Sequence, residues 1–186
     1  MPRYIAFLRG INVGGHTVKM GDLRRHMGAL GLRGVATFIA SGNVIFEDDD
    51  REPGDLEARI AAQLREALGY EVATFLRTDA DVARIAAHEP FPGLDVAEGD
   101  TSYVGFLGRR PSTARARSMA ALSNETDRVV VHDREIRWRI RGGGMQASTL
   151  AAAAFEKVLD APTTIRNVNT VRRLAAKYPP GPAGRT

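Results

Sequence analysis

The chain has 186 residues, 44% of them hydrophobic and 26% charged, a balance that suits a folded globular protein and excludes a disordered one. It contains no cysteine, which excludes disulfides, thiol catalysis and thiolate-bound metals. The formal charge is +4 and the pI 9.8; the basic residues are nearly all arginine, whose planar fork suits phosphate and carboxylate groups, although GC-rich coding produces the same bias.

Met1-Pro2-Arg3 leads straight into an apolar run with no leader pattern, and no stretch approaches the ~18 apolar residues of a membrane span. The expectation is a cytoplasmic protein that does not enter membranes. Tyr4 to Leu8 is a short, nearly continuous apolar run and reads as an interior strand. The glycine-studded stretch Arg9-Gly10-Ile11-Asn12-Val13-Gly14-Gly15 follows. Leu23, Met27 and Leu30 then mark one face of a helix that Gly31 stops. Val35 to Ile39 and Val44 to Phe46 read as strands joined through the turn Ser41-Gly42-Asn43. Asp48-Asp49-Asp50 and Pro53-Gly54 read as an exposed loop.

Leu56, Ile60, Leu64 and Leu68 recur every fourth residue and predict a helix that Gly69 closes. Val72 to Leu76 predicts a strand. Thr78 and Asp81 have the spacing of a capping box, opening a helix that lasts to Glu89-Pro90. Phe91 to Asp100 is the linker candidate. The pattern then repeats: a strand over Tyr103 to Leu107, a helix over Ser112 to Leu122, and strands over Arg128 to His132 and Glu135 to Ile140 that meet at Asp133-Arg134. A helix over Ser148 to Leu159 presents Leu150, Ala154 and Val158. A short strand near Thr163 to Ile165 and a helix over Asn167 to Lys177 complete the order. Both halves read β-α-β-β-α, so the expected fold is α+β, with two tandem ferredoxin-like subdomains at 1–95 and 96–178 and a mobile tail at 179–186.

Three stretches resemble the signatures of a known family: Phe7-Leu8-Arg9-Gly10-Ile11-Asn12-Val13-Gly14-Gly15, Ser41-Gly42-Asn43-Val44-Ile45-Phe46 and Arg166-Asn167-Val168-Asn169-Thr170-Val171. The chain resembles the uncharacterised bacterial family DUF1697 from about residue 3 to residue 177. The resemblance implies an α+β fold of two ferredoxin-like subdomains in a soluble cytoplasmic protein, and no activity. One departure stands out: the family's usual Gly-x-Ser-Lys-Leu is here Gln146-Ala147-Ser148-Thr149-Leu150, so any contact made by that lysine is missing its charge.

The opening stretch has the glycine spacing of a phosphate loop, but His16 stands where a Walker lysine would reach the phosphates, which argues against nucleotide hydrolysis. What survives is an anion site. Arg9, Gly10, Asn12, Gly14 and Gly15 supply a guanidinium and backbone amides, and Ser41 and Asn43 supply donors from the facing turn. Arg166, Asn167, Asn169 and Thr170 lie where a helix begins, the end that favours negative charge. Gly142-Gly143-Gly144 before Ser148 is a weaker candidate of the same kind. The four histidines lack the spacing of a metal motif, and no catalytic elbow or metalloprotease pattern is present.

The sequence therefore predicts a phosphate-bearing small molecule bound at the junction of the subdomains, with no cofactor that the residues can name. Nucleic-acid binding is the first alternative, with Tyr4, Tyr103 and Trp138 as stacking platforms. A transferase-like enzyme using His16 is the second.

Overall fold

The chain traces the path set by its alternating apolar runs in a computed structural model that describes residues 2–49, 51–92 and 97–181. It divides into two units, Met1–Ile85 with Leu174–Thr186, and Ala86–Arg173. Among the described residues there are two four-stranded antiparallel sheets and six helices, an α+β architecture, and no helix is long and apolar enough to cross a membrane.

In the first unit, β1 (Arg3–Leu8) lies between β3 (Asn43–Glu47) and β4 (Thr74–Thr78), and β2 (Arg33–Phe38) extends the sheet beyond β3. The register pairs Ala6 with Val44 on one side and with Leu76 on the other. Tyr4, Ala6 and Leu8 therefore point to one face, where they meet α1 (Met20–Gly28) and α2 (Pro53–Leu68). Leu23 and Met27 of α1 and Leu56, Ile60 and Leu64 of α2 are buried there, each contributing roughly 1.5–3 kcal/mol of apolar burial. Ile5, Phe7, Ile45 and Phe75 point the other way and are buried as well, so both faces of the sheet are covered and the strands read as continuous apolar runs.

Most predicted elements are present, with four shifts. The first helix ends at Gly28, with Leu30 and Gly31 in a following turn, because the Leu30 and Gly31 N–H groups bond the carbonyls three residues back, of Met27 and Gly28, and no longer those four back. β4 begins at Thr74 rather than Val72: Ala73 offers its carbonyl to the N–H of Arg9, which leaves the ladder to start one residue later. The acidic triplet is not a purely solvated loop, since Asp48 is buried and bonded by Arg51; Asp49 is exposed, and Asp50 lies outside the described residues. The capping box forms as expected. The Thr78 N–H and hydroxyl donate to Asp81, the Asp81 N–H donates back to Thr78 Oγ1, and α3 (Asp79–Ala87) follows. Of the linker candidate, residues 93–96 lie outside the described residues, as do 182–186 of the tail.

The second unit repeats the same order of elements and strands. β5 (Thr101–Phe106) lies between β7 (Glu135–Ile140) and β8 (Thr164–Asn167), and β6 (Asp127–His132) flanks β7. α4 (Thr113–Ala120), capped by the Ser112 hydroxyl, and α5 (Ala152–Leu159) cover one face. Ile136, Trp138 and Ile140 of β7 point into that core with Phe155 edge-on to the indole. The short strand near Thr163 to Ile165 is present as β8, after which α6 (Val168–Lys177) begins.

The fourth shift is α5, which starts at Ala152 instead of Ser148. Ser148, Thr149 and Leu150 are drawn out of helical geometry by side-chain bonds. The buried residues of the helix are Phe155 and Leu159, one position round from the predicted face of Leu150, Ala154 and Val158.

Candidate anion-binding site

Seven of the eleven expected site residues gather at one end of the first unit, where β1 leaves the sheet and β3 and β4 enter it. The Leu8 N–H bonds the Gly42 carbonyl and the Arg9 N–H bonds Ala73, so the loop after β1 is pinned on both sides. Asn12 is the hinge pin of this loop. Its Nδ2 donates to the Ala40 carbonyl at 2.8 Å, and its Oδ1 accepts the Val18 N–H at 2.7 Å. Buried Asn43 donates to the Phe38 carbonyl at 3.0 Å and to Ser41 Oγ at 2.9 Å. These amides hold loops in register, and Ser41 acts as an acceptor for Asn43.

Gly14 and Gly15 have φ of 63° and 88°, and the His16 N–H bonds the Val13 carbonyl at 3.2 Å. This is the geometry of a type I′ turn, which needs positive φ at both central positions and hence glycine. The pair is accounted for by the turn it makes. Arg9 is exposed, and His16 stacks on the Tyr70 ring at 3.8 Å between centroids.

The other four expected residues belong to the second unit. Arg166 is buried and donates to Thr164 Oγ1 at 2.8 Å and to its neighbour's carbonyl; burial pulls its pKa down to about 10, so it stays charged at neutral pH. Asn167 caps α6 as expected, with its Oδ1 accepting the Asn169 N–H at 2.8 Å. Asn169 is exposed and Thr170 half-buried.

A different set of residues forms a hollow on the second unit. On β7 the side chains alternate: Ile136, Trp138 and Ile140 enter the core, while Glu135, Arg137 and Arg139 point to the opposite face. Arg137 is 2% exposed and, with Arg139, lines a small hollow of about 40 Å³ that opens to solvent. Ser102, Tyr103 and Val104 of β5, apolar Pro90 and Phe91, and polar His88, Glu89 and Arg172 are also part of its lining. The His88 ring is stacked on His132 with centroids 4.4 Å apart and planes 17° from parallel.

Arg139 is held by Asp100. Its Nε donates to Asp100 Oδ2 at 3.0 Å, and the other oxygen of that carboxylate takes the Gly142 N–H at 2.9 Å. Hydrogen bonds from Arg139 and then Gly142 hold the Asp100 carboxyl below the usual carboxylate range. The triple-glycine run therefore anchors a carboxylate of its own chain. Its first residue does what was expected of it for an external phosphate.

The position that departs from the family pattern is equally well occupied. Asp127, fully buried, accepts from Trp138 Nε1 at 2.8 Å, Ser148 Oγ at 2.6 Å, the Thr149 N–H at 3.0 Å and Thr149 Oγ1 at 2.9 Å. Burial pushes its pKa up, but these bonds outweigh that and hold it below the ordinary value. Thr149 thus gives that carboxylate two neutral hydrogen bonds. The aromatics expected to stack bases do not stand on an open surface: Tyr4 and Trp138 are buried in the helix-side cores, and Tyr103 packs against Trp138. Among the described residues, no group of three or more histidines and acids is placed to hold a metal.

Sequence reasoning passes over the hollow because no short motif marks it. The signal is the alternation Glu135-Ile-Arg-Trp-Arg-Ile140, which places Arg137 and Arg139 on one face of an interior strand.

The model of a family described as Protein of unknown function (DUF1697) matches residues 1–136. Among solved structures, the conserved bacterial protein SP0830 from Streptococcus pneumoniae resembles the chain with a TM-score of 0.70 at 22% identity, covering 96% of this chain and 98% of that one. That likeness shows the fold alone. No curated protein matches.

Proposed function

The chain belongs to DUF1697, a family of unknown function, and from that premise we propose that it binds an anionic, phosphate-bearing small molecule in the arginine-lined hollow of its second unit. The observation that carries this is Arg137, a guanidinium almost wholly removed from bulk water yet lining an open hollow beside Arg139 and Arg172. Away from bulk water, a guanidinium makes a stronger hydrogen bond to any anion that enters. Pro90, Phe91 and Val104 supply apolar contact for the uncharged part of the ligand.

Nucleic-acid binding has weaker support, because the strand aromatics that would stack bases are spent in the cores. Each unit's β-α-β-β-α-β order, with its first strand between the third and fourth, supports reading it as a ferredoxin-like split unit. The cysteine-free composition supports a reducing, cytoplasmic setting.

Calorimetric titration with pyrophosphate, sugar phosphates and nucleotides tests the proposal. Arg172 is exposed at the rim, so Arg172→Ala leaves the fold intact. The expected result is about tenfold weaker binding, the ~1.4 kcal/mol of one charge-assisted contact. Arg9→Ala is the second arm. Affinity lost in Arg9→Ala and kept in Arg172→Ala would move the ligand to the glycine loop of the first unit and overturn the assignment.

A further inference from the structure

We propose that the arginine run opening α4 is a docking surface for the phosphate backbone of a nucleic-acid duplex. It lies on the helix-covered side of the second sheet, away from the hollow, and is independent of the small-molecule reading above.

Residues 101–124 carry four arginines and no aspartate or glutamate. Arg115 is engaged within the fold. It bonds the Leu159 carbonyl and pairs with Asp160 at 3.1 Å, fastening α4 to the end of α5. Arg109, Arg110 and Arg117 are exposed, and no ion pair among the described residues engages them. Elsewhere the chain sets an acid beside exposed arginines: Arg25 has Asp22, Arg65 has Glu71 and Arg84 has Asp81. Along this run the charge faces solvent unanswered.

Local structure brings the three charges together. Ser112 caps α4, its hydroxyl accepting the Arg115 N–H at 3.3 Å, so Arg109 and Arg110 stand just before the helix begins. Arg117 lies about one turn in, and side chains on a helix lean back towards its N-terminus. Met119 is buried and Arg115 turns to α5, which leaves Thr113, Ala114, Arg117 and Ser118 exposed. The residues between the arginines are small, so a long, regular anion can come close to the backbone.

A nucleic-acid duplex is such an anion. Its phosphates follow one another at about 3.4 Å of axial rise per strand, so guanidiniums spread over a helical turn and the loop before it meet several at once. Contacts of this kind read charge rather than bases, and they need none of the stacking aromatics that the cores contain. A lipid surface is the poorer match. Helices that lie on membranes insert large apolar side chains, and the exposed large hydrophobics among the described residues, Val13, Ile39 and Met145, are all elsewhere.

Salt dependence is the readout. Binding to a labelled DNA duplex of mixed sequence, followed by fluorescence anisotropy from about 50 to 200 mM salt, is expected to weaken with a log–log slope of about −2.7, the value for three phosphate contacts. Arg109→Ala/Arg110→Ala is expected to cut the slope to about −0.9 and to weaken binding ~10-fold at the low-salt end. Arg25→Ala/Arg59→Ala removes the same charge from α1 and α2 of the first unit and is expected to leave the slope unchanged. All four side chains are exposed, so neither variant disturbs a core. Duplex binding that is absent at about 50 mM salt, or that falls equally in the two variants, overturns the inference. Capture by phosphatidylglycerol vesicles that depends on Arg109 and Arg110, with no such dependence for the duplex, would assign the run to a lipid surface and overturn it as well.

Discussion

At Gly42 an added Cβ would lie 2.8 Å from Cβ of Ile11 and 3.2 Å from that of Leu8, and φ there is 74°. The turn before β3 approaches the loop after β1 so closely that only glycine fits, for steric and backbone reasons together. Gly42→Ala is therefore expected to destabilise the protein by about 2 kcal/mol, measured as a lower midpoint in denaturant unfolding. An unchanged midpoint would mean that the loop gives way. Asn12 and Asn43 tell the same story with hydrogen bonds. The sequence marks these residues as special, and they are, but as the fasteners of one end of the first sheet. Side-chain amides that hold loops and side-chain amides that hold ligands look identical in a sequence, because both need the same donors and acceptors. Only the partner distinguishes them, and the partners Ala40 and Phe38 are far from their amides in the chain or reached through backbone carbonyls that carry no sequence signal.

Between elements, Asp127 is the clasp of the second unit. One carboxylate ties β6 to Trp138 of β7 and to Ser148 and Thr149 in the segment leading to α5, where it takes the Thr149 N–H. Asn at this position keeps the shape but turns a donor towards a donor on one side. Asp127→Asn is expected to cost about 2 kcal/mol at neutral pH. Because the folded carboxyl sits below its ordinary value of 3.8, its contribution is complete above that value and is lost as pH falls through the lower, folded one. Asp81 and Asp100 are held below the ordinary range in the same way. Acid unfolding followed by circular dichroism should begin below about pH 4 and be shallower in Asp127→Asn. A variant as stable as the parent at pH 7, with the same acid limb, would show the clasp to be idle.

The same clasp explains where sequence reading falls short at this scale. Apolar period alone extends α5 back to Ser148, and nothing local reveals that a carboxylate 21 residues earlier claims Ser148 and Thr149. Helices without such competitors, α2 above all, are legible from their apolar spacing. The short β8 is hard to see because its four residues include Arg166 and Asn167, yet the ladder to β5 fixes it.

Over the whole molecule, composition and the strand–helix rhythm reveal an α+β chain built twice on one plan, and three polar signatures reveal the family. They do not reveal the hollow. Arg137, Arg139, Arg172 and His88 come from three separate stretches of chain, and only the sheet register and the start of α6 bring them to one lining. The central claim is that an anion sits there. A crystal of the protein soaked in tungstate, a dianion with a strong anomalous signal, tests it most directly. The account predicts an anomalous peak in the hollow within hydrogen-bond reach of Arg137 and Arg172, absent in Arg172→Ala. A peak at the Gly14–Gly15 turn with none in the hollow, or no ordered tungstate at all, would contradict it.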